Sequence, residues 1–325
     1  MRAWRLLCCG IAAGALLSSC AAPLLNAPLG SSRRVSAAYN EYLQGLMKDA
    51  TGETATALAH FEKVQRHDTA SAAPYVRAGY DYLRLKKVRE AVRAFDTAVR
   101  LRPDDDDARF VLALLYVQRQ EYDSAVRHYD YLLARHQEDK PLQLKLRRIL
   151  SQLNYLRGHM GEARAQIAAG LLIGPLDPDL LFFRAVMASE DGRYDEAIPD
   201  FRRVLEEDPD HADAMNGLAY AYAQKGTDLL EALELARGAV AQNPFSGAYL
   251  DTLGWICYRL GKVDEAIGFL ERAAKLMIEP EILDHLAEAY RAAGRLQDAQ
   301  DAWRRSLSLD PKQEDVRKTL KELKE

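Results

Sequence analysis

Seven histidines (His60, His67, His128, His136, His159, His211 and His285) and four cysteines (Cys8, Cys9, Cys20 and Cys257) are the side chains of this 325-residue chain best suited to hold a metal or attack a carbon centre. Their spacing supports neither. A zinc hydrolase needs two histidines one helical turn apart with a glutamate between them as general base, and no HExxH run occurs. His128 and His136 lie eight apart with Asp130 between them, which is two turns and not one. There is no GxSxG elbow, no glycine loop to cradle a phosphate and no Cys/His pair backed by an acid. The acidic run Asp104 to Asp107 follows Pro103 and opens the next helix, where carboxylates cap free amides and meet the positive end of the dipole. The chain therefore reads as a non-enzyme with no cofactor, no metal and no small-molecule substrate.

What the residues do specify is a framework. Eight alanines at positions 57, 91, 125, 163, 197, 232, 266 and 299 recur at intervals of 34, 34, 38, 34, 35, 34 and 33 residues. Four residues after each stands a second core position: Phe61, Phe95, Tyr129, Ile167, Phe201, Ala236, Leu270 and Trp303. Twelve before each, or thirteen in the sixth unit, comes a small residue that lets two helices cross closely: Gly45, Gly79, Ala113, Ser151, Ala185, Ala219, Gly254 and Ala287. Gly52, Gly158, Gly192, Gly261 and Gly294, five before their alanines, end a first helix, and Pro103, Pro175, Pro209, Pro244 and Pro311 stop a second one. A fixed period in the thirties with two helices per unit marks an all-α solenoid of helical hairpins, each too small to bury its own apolar stripe.

The unit from Ala72 to Asp104 resembles the tetratricopeptide repeat (TPR) family at Tyr75, Ala78, Gly79, Tyr82, Ala91, Phe95, Ala98 and Pro103. The resemblance runs over residues 38–311 and implies a right-handed solenoid of about eight hairpins, with residues 312–325 as a C-terminal capping helix. The fourth unit is the irregular one, its four extra residues adding about one helical turn. In this family the first helices line a concave groove that binds peptides. The groove positions carried over by the resemblance are Tyr39, Tyr42, Tyr80, Arg84, Phe110, Lys145, Arg148, Tyr155, Phe182, Asn216, Tyr220, Asp251, Trp255, Tyr258 and Arg259. Large amphipathic side chains there bury area at little rotamer cost. Trp255 and Tyr258 share one helix face, and Asp251 and Arg259, four before and four after Trp255, are expected to rim them with opposite charges.

Residues 1–19 carry two arginines, an apolar run from Leu6 to Leu17 and small residues, which reads as a secretory signal and is too short for a folded protein's membrane span. Leu17-Ser18-Ser19-Cys20 resembles the bacterial lipobox, implying cleavage before Cys20 and its lipidation, palmitate included. Ala21 in place of aspartate implies the outer membrane, facing the periplasm. Residues 20–37, rich in Pro, Gly and Ser, then form a flexible tether. Loss of the signal takes the formal charge from -4 to -6, which argues against nucleic acid. Cys257, at a position usually filled by a packing residue, is expected to be a buried, inert thiol.

The stretch Leu250 to Ile267, "LDTLGWICYRLGKVDEAI", is similar to adaptor lipoproteins that dock a periplasmic C-terminal processing protease onto peptidoglycan hydrolases. That resemblance implies an envelope scaffold whose partners are proteins or peptides bound through the concave surface. The alternative is a pilotin or a secretion or exopolysaccharide-export assembly lipoprotein.

Overall fold

The computed structural model describes residues 32–323, and these consist of helices and short connections with no strand among them. The chain divides into two compact units between Ala163 and Arg164. The N-terminal unit holds α1 (Ser32–Ala50), α2 (Thr54–His67), α3 (Ala73–Arg84), α4 (Val88–Leu101), α5 (Asp106–Gln118), α6 (Tyr122–Arg135) and α7 (Lys140–Leu156). The division falls within α8 (Met160–Ile173). The C-terminal unit continues with α9 (Pro178–Glu190), α10 (Tyr194–Glu207), α11 (Ala212–Lys225), α12 (Leu229–Gln242), α13 (Gly247–Arg259), α14 (Val263–Leu276), α15 (Pro280–Ala292), α16 (Leu296–Leu309) and α17 (Glu314–Glu322).

Helices follow one another in consecutive pairs, and the ladder is what they pack around. All eight ladder alanines are 0 % exposed, and the residues four after them are buried too. Close crossing needs the small partner twelve positions earlier. A Cβ added at Gly79 would sit 2.7 Å from the Phe95 ring, and one at Gly45 would sit 2.6 Å from Phe61. Neither glycine has a positive φ, so the requirement there is for space, not for backbone freedom.

Turns between paired helices impose the opposite requirement. Gly52, Gly158, Gly192, Gly261 and Gly294 have φ between 74 and 78° with nothing near the place of a Cβ. Lys86 and Gln120 occupy the same turn in the second and third hairpins at φ 58 and 60° and bear the left-handed strain with full side chains. In the sixth hairpin the turn shifts by one residue, with Gly226 and Asp228 both at positive φ. Five first helices begin on a side-chain cap: Asp105, Asp139, Asp177, His211 and Ser246 each accept a backbone N–H three residues on. The run Asp104 to Asp107 thus serves helix initiation.

Three local expectations are met and one is revised. The four extra residues of the fourth unit lengthen α7 to 17 residues. The last helix, α17, buries Leu320 and lays Val316 and Leu323 against the core cluster that contains Trp303. Cys257 is fully buried in the core of the C-terminal unit, and burial pushes its thiol pKa up. The tether, expected to reach residue 37, stops sooner because α1 begins at Ser32. Val35, Ala38 and Tyr42 extend the helical stripe, and Ala38 is buried. Residues 1–31, including the signal sequence, Cys20 and most of the tether, lie outside the described residues.

Candidate functional site

In the N-terminal unit the expected groove aromatics turn into their own hairpins. Tyr42 meets Phe61 with ring centres 5.6 Å apart, Tyr80 meets Phe95 edge-on at 5.1 Å, and Phe110 meets Tyr129 edge-on at 5.5 Å. Each therefore braces the large residue four after a ladder alanine. Lys145 holds its ammonium 4.7 Å above Phe110, Arg84 bonds Asp81 at 3.0 Å and also Asp49, and Arg148 is half-buried. Tyr155 is buried, and of the aromatics here only Tyr39 keeps half its surface in water, while Arg84 and Lys145 are exposed too.

The histidines of this unit are kept apart. His128 stacks on Tyr116 with ring centres 5.6 Å apart, and burial together with Arg109 pushes its pKa down to about 4. His136 instead bonds Asp106 at 2.6 Å. His128 is thus taken up by packing and His136 by an ion pair.

In the C-terminal unit three first helices, α11, α13 and α15, touch in sequence, and each presents two residues one turn apart to a common face. These are Asn216 and Tyr220 on α11, Asp251 and Trp255 on α13, and Glu281 and His285 on α15. The Tyr220 hydroxyl donates to Glu281, tying α11 to α15 across α13. His285 Nδ1 lies 2.9 Å from the Asp251 carboxylate. Burial opposes charge on that imidazole, yet Asp251, with Glu281 and Asp284 farther off, outweighs it and holds the pKa above the ordinary histidine range.

Around that pair the rings form a stack. The Trp255 ring lies 4.1 Å from His285 and 4.9 Å from Tyr258, at interplanar angles of 16 and 17°. Arg259 sits at its margin, exposed, with its guanidinium 5.9 Å from the Trp255 ring centre. Phe182, the groove residue of α9, rests on Phe201 at 6.0 Å and on His211 at 5.0 Å.

Asp251 corrects the sequence reading. Instead of rimming the aromatic pair it is 6 % exposed beneath it, because the histidine of the next hairpin neutralises it there. His285, Glu281 and Tyr194, whose ring lies 6.2 Å from Tyr220, were missed as site residues. Counting groove positions into the eighth hairpin points to Glu281 and Asp284, while His285 is one position off the rule and carries no such signal.

Two polar groups in this face are left unpaired. Asn216 is 2 % exposed and its side-chain carbonyl has no hydrogen-bond partner; the Trp255 indole N–H is also buried without one. Buried polar atoms are nearly always satisfied, and leaving one unmade costs ~1–3 kcal/mol.

Comparison with known proteins gives a consistent picture. The pattern described as tetratricopeptide repeat matches residues 76–138, 111–180, 184–247 and 227–276, and a second pattern of the same description matches 280–313. The chain is similar to a TPR repeat-containing protein of Pseudomonas aeruginosa, 30% identical over 202 residues that make up 62% of this chain and 34% of that protein. It is 29% identical over 126 residues to tetratricopeptide repeat protein 13 of Homo sapiens, covering 38% of this chain and 15% of that one. The chain thus spans about a third of the length of the first relative and less of the second. Among solved structures, a tetratricopeptide repeat protein from Parabacteroides merdae superposes with a TM-score of 0.58 at 15% identity, over 79% of this chain and 100% of that chain.

Proposed function

Because the chain belongs to the tetratricopeptide repeat family, a fold of protein–protein interaction scaffolds, we propose that it is a non-enzymatic lipoprotein scaffold of the bacterial envelope that captures partner proteins on the first-helix face of its C-terminal unit. The observation that carries this reading is the Tyr258, Trp255 and His285 stack with its unpaired indole N–H. Cys20, acylated, holds the chain at the outer membrane on its periplasmic side. The partner class is a periplasmic processing protease brought to a cell-wall hydrolase, a reading supported by the resemblance of Leu250 to Ile267 to adaptors of that kind.

Capture of the partner is tested by Trp255→Ala. An interface anchor that fills a pocket typically costs at least ~2 kcal/mol when truncated, a factor of ~30 in affinity. The variant should keep its helical circular dichroism while losing crosslinked capture of the native envelope partner by that factor. Full capture by a folded Trp255→Ala protein overturns the assignment of the site.

A further inference from the structure

The two ends of the described chain are finished differently. At the C-terminal end α17 turns Glu314, Arg317, Lys318 and Glu322 to water, the polar outer side that a terminal helix of a repeat stack needs. At the other end α1, which no helix precedes among the described residues, turns Tyr39, Leu43 and Met47 outward at 50, 39 and 62 % exposure. Their spacing of four puts all three on one helix face.

In every later hairpin that face is covered. Met47 stands two residues after the small residue Gly45, and its counterparts, from Asp81 in α3 through Leu115, Leu153 and Met187 to Ala289 in α15, are exposed by 6 % or less. Leu43 stands two before Gly45, and its counterparts from Arg77 to His285 are all buried or half-buried. In α3, α5, α7, α11, α13 and α15 the second helix of the preceding hairpin packs against the first helix. The face of α1 thus continues an interface that recurs along the chain, and what covers that interface elsewhere is a helix of the same kind.

The make-up of the face points to the same helix of another copy. Tyr39, Asn40, Leu43, Leu46, Met47 and Ala50 carry no charge, so two identical faces meet without the repulsion that like charges would bring. Tyr39 and Met47 lie four before and four after Leu43, so an antiparallel copy centred on Leu43 sets each tyrosine ring opposite a methionine sulfur, a favourable contact made twice. Head-to-tail stacking has no such match, because the α17 end is charged. A contact of one surface with itself also closes at two copies.

We propose that α1 is a self-association surface, on which α1 of a second copy of this chain packs antiparallel about a two-fold axis at Leu43, with Tyr39 of each copy against Met47 of the other. From Tyr39 to Met47 is ~12 Å along the helix. A contact of that length falls short of the ~1,200 Å² of a stable interface, so the pairing is reversible. Its consequence is that capture faces are presented two at a time.

The test introduces single cysteines into the full-length protein in its native envelope and bridges them with a short bismaleimide. Leu43→Cys should give a covalent dimer at least about tenfold more abundant than Lys318→Cys, an exposed position on α17 that carries the same native cysteines. Differently tagged Tyr39→Cys and Met47→Cys chains, expressed together, should crosslink to each other more than either does to itself. Adding Met47→Lys to the Leu43→Cys chain should lower the dimer about tenfold, because pairing would bury an unpaired charge, while the melting midpoint of the purified protein stays unchanged.

Leu43→Cys dimer no more abundant than that of Lys318→Cys overturns the proposal. Preferential crosslinking of Tyr39→Cys and of Met47→Cys each to itself overturns the antiparallel pairing. Capture of a different protein by Leu43→Cys, in place of its own copy, gives the face to another partner and overturns self-association, as does a dimer indifferent to Met47→Lys.

Discussion

At the scale of single residues, this protein is governed by steric exclusions that repeat. Phe95 is fully buried and held edge-on by Tyr80, so its ring has no direction in which to retreat from a new methyl group. Gly79→Ala should therefore lower stability: overpacking costs ~1–3 kcal/mol, more than the ~1 kcal/mol gained by placing alanine in a helix. A melting midpoint equal to or above that of the wild type would show that the ring yields. Positions of this kind were legible in the sequence because the need for space recurs every 34 residues or so. Asp251 was not, because its environment is set by His285, 34 residues away, and the repeat pattern does not constrain the residue type at that place.

Among the elements, what distinguishes one hairpin from the next is the turn. Six turns place a glycine in the left-handed region, and two, at Lys86 and Gln120, do not. A left-handed residue other than glycine costs ~1–2 kcal/mol, part of which glycine gives back through its freer unfolded chain. Lys86→Gly combined with Gln120→Gly should raise the denaturation free energy by ~1 kcal/mol, measured by urea titration, and a loss of stability would mean that these side chains contribute contacts outweighing the strain. Helix number, order and approximate ends followed from the period, and even the lengthened α7 was readable from an interval of 38. The early start of α1 was hidden because the serines and glycine of the preceding stretch suggest a linker, while the stripe through Val35 and Ala38 needs the following helix to be seen.

For the whole molecule, the two units and the segment before them pose separate questions. No described helix is long and apolar enough to cross a membrane, so attachment, on the reading proposed above, depends on the acyl chains at Cys20. Each buried methylene contributes ~0.8 kcal/mol, which makes a multiply acylated anchor effectively permanent. Cys20→Ser should move the protein from the membrane fraction to the soluble fraction and abolish palmitate labelling, while leaving its circular dichroism unchanged. A wild-type protein that is soluble and carries no lipid would refute the anchor.

Cys257 also gives the molecule a clock. It lies on α13, the helix that bears Trp255 and Tyr258, but faces the core and is fully buried. A thiol reagent can reach it only when that hairpin opens, so at low reagent concentration the labelling rate reports the free energy of local opening. A ligand that occupies the neighbouring face only in the closed state must slow that reaction by its degree of saturation. The occupancy of the face can thus be timed from behind it, at a sulfur that no ligand touches.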